Sequence, residues 1–180
     1  MFEIAEKLTK SHFDEMEILE KKYYDEEFIT SSEESYAWYL KHQSSIQVVT
    51  HFGKLVGFLN MFPISKGLFN TIKEGNYNDA YLKAEDIVLL KEFESEVYLF
   101  LSCIVVDKEF RRTPVLKMLI ESYVNIYKKY PIKGIITDNI TENGAAFSER
   151  MGFQFLVKSD HNSKIYVGKW NDFEKFGGSL

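Results

Sequence analysis

Between Val97 and Val106 the chain reads VYLFLSCIVV, an apolar, β-branched and aromatic run too short to cross a bilayer and too continuous for a strand with one wet face. It predicts a buried central strand. Directly after it the period changes: Val115, Leu116, Leu119, Ile120, Tyr123, Val124 and Tyr127 recur on one face of a helix, with Lys117, Glu121, Ser122 and Lys128 on the other. The turn between the two, DKEFRRTP, is charged. Thr113 and Pro114 place the helix start, because threonine caps and proline tolerates the first helical position.

The same reading gives the other elements in order. Phe2, Ile4 and Leu8 alternate with charges, as in a first strand ending before Lys10. From Ser11 a helix is predicted with Phe13, Met16, Ile18, Leu19, Tyr23 and Tyr24 on its apolar face and Asp14, Glu15, Glu17, Glu20 and Lys21 outside. Ser31 and Glu34 have capping-box spacing for a second helix through Lys41, carrying Tyr36, Trp38, Tyr39 and Leu40. Ile46 to Phe52 and Leu55 to Phe62 form a hairpin about Gly53-Lys54, stopped by Pro63. Leu68, Phe69 and Ile72 suggest a helix ended by Gly75, and Asn76 to Leu90 read as loop, short strand or both. Ile132 to Thr137 is a further strand, followed by a helix from about Thr141 to Gly152. A hairpin then joins Phe153–Val157 to Lys164–Trp170. No repeat or linker divides the chain, so residues 1–176 read as one domain with a flexible tail at 177–180.

Composition narrows the function classes. A chain of 180 residues, 45% hydrophobic and 16% aromatic, has material for a sizeable core. Its net charge of −5 speaks against sequence-independent binding of nucleic acid. The N-terminus mixes acids and bases without an apolar core region, so neither a signal peptide nor a membrane partner is expected, and the cytoplasm is the default location. Cys103, the only cysteine, lies in the apolar strand and reads as a small buried hydrophobe. His12, His42, His51 and His161 have no metal-ligand spacing, and no metal is expected. The acids Asp25, Glu26, Glu27, Glu33 and Glu34 would draw a cationic amine, though such runs are usually solvated faces.

Two segments, VVDKEFRRTPVLKMLIESY and ENGAAFSERMGF, together with the order of elements, resemble the GCN5-related N-acetyltransferase (GNAT) superfamily. The resemblance implies an α/β (α+β) fold: a mixed central sheet flanked by helices on both faces. It implies acetyl-CoA as cosubstrate and a small-molecule or peptide amine as acceptor; a homodimer is left open. The thioester is expected along Ser102 to Val106, with Ile104, Val105 and Val106 lining it. The diphosphate is expected at Arg111, Arg112, Thr113, Val115 and Leu116, using N–H groups of residues 112, 113 and 115 to 117. Asn139 and Asn143 either bond the pantetheine amides or cap the following helix.

The chain departs from the family pattern at several places. Pro114 and Leu116 stand where the turn usually has glycines. Thr141 falls at the usual asparagine, Ser148 at the tyrosine that protonates the thiolate, and Tyr98 at the general-base glutamate, with Glu96 and Asp138 the nearest acids on this strand and the next. Ser148 reads as a helix-surface serine in preference to an acid, Glu96 as a solvated strand edge in preference to a base, and the helix-pair aromatics as core in preference to an acceptor wall. With Tyr98 or water carrying the proton, turnover is expected to rise with pH without a carboxylate step. The preferred reading is an N-acetyltransferase; the alternative is a catalytically degenerate acyl-CoA-binding or protein-interaction module with the same fold.

Overall fold

The computed structural model describes residues 1–180. Its elements are β1 (Phe2–Ile4), α1 (Lys10–Glu20), α2 (Ser32–Lys41), β2 (Ile46–His51), β3 (Lys54–Ile64), α3 (Lys66–Lys73), β4 (Val97–Val106), α4 (Val115–Tyr127), β5 (Ile132–Asn139), α5 (Glu142–Arg150), β6 (Gln154–Lys158), β7 (Lys164–Gly168) and α6 (Trp170–Ser179). The strands form one seven-stranded sheet in the order β1-β2-β3-β4-β5-β7-β6. Only β4 and β5 are parallel neighbours, as a strand–helix–strand unit through α4 requires. The expected mixed sheet with helices on both faces is present: α1, α2 and α3 pack on one face around Phe58, Phe62 and Phe100, and α4, α5 and α6 on the other around Leu59, Met61 and Leu99.

Two irregularities of β4 shape the molecule. Asn60 pairs with Cys103 but Met61 pairs with Leu101, so Ser102 is an extra residue, a bulge. Side chains alternate faces along a strand, and one inserted residue reverses the parity. Val97, Leu99 and Leu101 accordingly belong to the α4 side, whereas beyond the bulge Cys103 and Val105 belong to the α1 side. The second irregularity is a parting. The β4–β5 ladder runs only from Val97↔Ile132 to Leu101↔Thr137. Beyond it β4 stays with β3, while Asp138 and Asn139 of β5 pair with Ile165 and Lys164 of β7. A wedge opens between them.

The structure corrects several details of the sequence reading. β3 does not stop at Pro63 but continues to Ile64, with Pro63 opposite Leu99. The β2 ladder has already ended at Ile46↔Asn60, and the Pro63 carbonyl accepts from Val88 on that open edge, so the missing proline N–H removes no sheet bond. In α1, Ile18 is 60% exposed and Glu20 is buried, the reverse of the expected faces. The stretch after Gly75 holds short 3₁₀ turns at Asp79–Tyr81 and Ala84–Asp86 and a single bridge, Ile64↔Ile87, but no strand. Residues 177–179 are not a flexible tail. They close α6, whose Phe173 and Phe176 are buried and whose Gly177 lies so near Ile120 of α4 that a Cβ there would come within 2.7 Å of its side chain.

Candidate active site

The wedge between β4 and β5 is a cleft of about 420 Å³, lined by Leu101 to Val106 on one wall and Thr137 to Thr141 with Asn143, Gly144, Phe147, Ser148 and Arg150 on the other. Its mouth is the turn after β4. There the Arg111 guanidinium donates from Nε to the Val106 carbonyl at 3.3 Å and lies 5.0 Å from the centre of the Tyr23 ring. Tyr23 ties the end of α1 to the same turn, donating to Asp107 at 3.2 Å and accepting from the Lys108 N–H at 2.8 Å. Lys22 adds an ion pair with Asp107 at 2.7 Å, and the Asp107 carboxyl is held below its ordinary range first by that lysine.

The start of α4 differs from the expected cap. Pro114 is itself the N-cap, and the Thr113 hydroxyl donates back to the Phe110 carbonyl at 2.6 Å instead of capping. The Thr113 N–H is also committed to Phe110, at 3.1 Å, so it is not available as expected. The N–H groups of Arg112, Val115, Leu116 and Lys117 have no acceptor in the protein. Of the residues expected to bind a diphosphate, Arg111 and Leu116 line the cleft; Arg112, Thr113 and Val115 do not. Val115 is fully buried, packed so close to β3 that only a glycine fits at residue 57, where a Cβ would lie 2.8 Å from Val115 Cγ1.

Ile104, Val105, Val106, Asn139 and Asn143 line the cleft. Neither asparagine caps α5: the Thr141 hydroxyl does, accepting from the Gly144 N–H at 3.0 Å. Asn139 instead donates to Ser148 Oγ at 3.0 Å. Ser148 is therefore a buried cleft residue, 1% exposed, and not the surface serine the sequence suggested. Tyr98 and Glu96 are not brought to the cleft. They lie at the opposite end of β4, where the Tyr98 hydroxyl donates to Glu96 at 3.0 Å, Lys66 pairs with Glu96 at 3.4 Å and Phe69 of α3 packs on the Tyr98 ring. Ser102 is four residue steps along the strand from Tyr98, roughly 13 Å.

The acidic groups of the cleft come from elsewhere. Glu20, the last residue of α1, projects between Thr30, whose N–H donates to it at 3.3 Å, and Cys103, whose thiol donates at 3.6 Å. Burial drives its pKa up to about 7. Burial and the adjacent Glu20 carboxylate in turn push the Cys103 thiol up, and the neighbouring Cys103 sulfur together with burial raises the Tyr24 phenol. Cys103 is thus a half-buried thiol with an acid beside it, and not the fully buried hydrophobe the sequence suggested. Asp79 lines the same end, raised to about 6 by burial and then by repulsion from Asp138. Asp138 is 5% exposed; His161 Nε2 bonds its Oδ2 at 2.8 Å and His161 Nδ1 bonds Asp160 at 2.9 Å. Burial works against a charged imidazole, but Asp160 and Asp138 outweigh it and hold His161 above its ordinary value.

The sequence reading missed Glu20, Asp79 and Arg150 as cleft residues, and it preferred core to acceptor wall for Tyr23 and Tyr24, which line the cleft. Two carried a usable signal. Glu20 falls four residues after Met16 and seven after Phe13, on their stripe, and Arg150 falls seven after Asn143 on α5. Asp79, in a loop turn, carried none.

No protein-family model and no curated protein matches the chain. Solved structures do. Ard1 from Thermoplasma volcanium superposes with a TM-score of 0.60 at 16% identity, over 92% of this chain and 94% of that one. The PaiA N-acetyltransferase from Thermoplasma acidophilum, in complex with coenzyme A, gives 0.59 at 16% identity, over 94% and 99%. The GphF GNAT-like decarboxylase, in complex with isobutyryl-CoA, gives 0.63 at 13% identity, over 93% and 97%.

Proposed function

The chain has the GNAT fold, and we propose that it transfers an acyl group, in the first instance acetyl from acetyl-CoA, to an amine bound in the cleft. The observation that carries this reading is the wedge: β4 and β5 part at Leu101 and Thr137 beside the Ser102 bulge, and the opening leads to unpaired N–H groups at the start of α4. A diphosphate accepts from those N–H groups with Arg111 beside it. The pantetheine arm lies between Ile104–Val106 and the amides of Asn139 and Asn143, which brings the thioester to the bulge. Two of the similar structures hold coenzyme A or an acyl-CoA, which supports the same donor.

The reaction needs little covalent help from the protein. The amine lone pair attacks the thioester carbonyl carbon, the C–N bond forms, the C–S bond breaks, and the thiolate leaves with the electron pair. A backbone donor at the bulge polarises the carbonyl. Glu20, with a pKa matched to neutral pH, removes the proton the amine must lose, in place of the Tyr98 or Glu96 that the sequence suggested. The proton gained by CoA balances the one given up by the amine.

A second reading, a binding module without turnover, is favoured by one observation: Leu116 presents a bulky side chain to the cleft where the family has glycine. One experiment separates the two. Coenzyme A at about a hundred times its dissociation constant stabilises the fold by about 2.7 kcal/mol, read as a melting shift, and thiol release from acetyl-CoA is then followed over a panel of amines. Binding with thiol release is the result expected of the enzyme. Binding alone fits the module, and no shift at millimolar CoA contradicts both.

A further inference from the structure

Three carboxyl groups from three separate elements face the acceptor end of the cleft: Glu20 from α1, Asp79 from the turn after α3, and Asp138 from β5. The basic side chain bonded to this cluster is His161, and both its ring nitrogens are already used, Nδ1 by Asp160 and Nε2 by Asp138 Oδ2 and the Ser163 hydroxyl. Asp138 Oδ1 is buried and has no hydrogen-bond partner in the protein. A carboxylate oxygen withdrawn from water and left without a donor is costly, and it is expected where a ligand supplies the donor. The repulsion between Asp138 and Asp79 adds to the same demand, because a positive charge between them relieves it.

The reacting nitrogen cannot be that charge, since it must be neutral when it attacks and ends as an amide. Building on the transferase reading, we infer that the acceptor is a short aliphatic diamine or polyamine: one amine reacts beside Glu20, and a second, protonated at neutral pH, is held as its ammonium by Asp138 Oδ1 and Asp79. A peptide amine fits less well, because the 420 Å³ cleft also has to admit the thioester.

Initial rates of acetyl-CoA thiol release with 1,4-diaminobutane, with butylamine and with a short peptide bearing a free α-amine test this. The diamine is expected to exceed butylamine in kcat/KM by about 10- to 100-fold, the range of one charge-assisted hydrogen bond, with most of the difference in KM. Asp79→Asn is expected to collapse that ratio; the Asp79 carboxyl bonds only within its own turn, so the fold has little to lose. Asp138→Asn, a second variant, should do the same, with melting temperature as the control. A ratio near one, or a preference for the peptide, overturns the inference while leaving the transferase reading intact. If no amine releases thiol, the transferase reading fails, and the cation site is judged by calorimetry of 1,4-diaminobutane on the CoA-saturated protein. Binding that is weakened in Asp79→Asn upholds it, and absence of binding overturns it.

Discussion

Glu20 carries the largest consequence of any single residue. Its carboxyl titrates near 4.5 in an ordinary setting and at about 7 in the fold, with Cys103, the Thr30 N–H, Glu17 and Asp79 around it. Between those values the folded protein holds a proton that the unfolded chain has released. Stability from this group is therefore full below pH 4.5 and is lost as pH rises through 7, by on the order of 3 kcal/mol. Melting curves at pH 4.5 and pH 8 should show wild type losing more than Glu20→Gln, in which Asp79 and Asp138 still titrate. Turnover in Glu20→Gln should fall by about 10²- to 10⁴-fold with CoA affinity kept, and the limb near pH 7 in the wild-type rate profile should vanish. That limb replaces the carboxylate-free profile expected from sequence. The two arginines also part company: Arg111→Ala should weaken CoA binding by about 1.5 to 3 kcal/mol, whereas Arg112→Ala, exposed and outside the cleft lining, should change it little by calorimetry.

Among the elements, β4 shows where sequence reading succeeds and where it stops. VYLFLSCIVV announces a buried strand because it is apolar throughout, and for the same reason nothing in it marks Ser102 as an inserted residue or shows which face Cys103 takes. In α1 the signal was present but misread: residue type put Glu20 outside, while the spacing from Phe13 and Met16 put it on their side. Pro63 was read as a strand stop and Gly177 as part of a flexible tail, although an open sheet edge accepts the first and close packing against Ile120 requires the second. Glycine at 57 has a comparable role between β3 and α4. Gly57→Ala should cost about 1 to 3 kcal/mol and, by displacing Val115 at the start of α4, weaken CoA binding as well. Phe173→Ala should cost about 3 to 5 kcal/mol in denaturant melts.

At the scale of the whole molecule, the donor side of the cleft was legible because it is local: the turn after β4, the start of α4 and the loop before α5 are contiguous stretches with recognisable chemistry. The acceptor side was not, because Glu20, Asp79, Asp138 and His161 come from four distant places in the chain and meet only when the sheet is assembled. Fold likeness does not supply the missing half. An N-acetyltransferase and a decarboxylase both superpose on this chain at under 20% identity, so the reaction has to be argued from the site itself. Under the proposed function, acyl-CoA lies in the wedge with its diphosphate on the start of α4. Amide hydrogen exchange with and without saturating CoA tests it most directly. Slowed exchange is expected at residues 115–117, whose N–H groups have no acceptor in the protein, and along 102–106 of β4. Protection confined to other parts of the chain, with exchange at 115–117 unchanged, would contradict it.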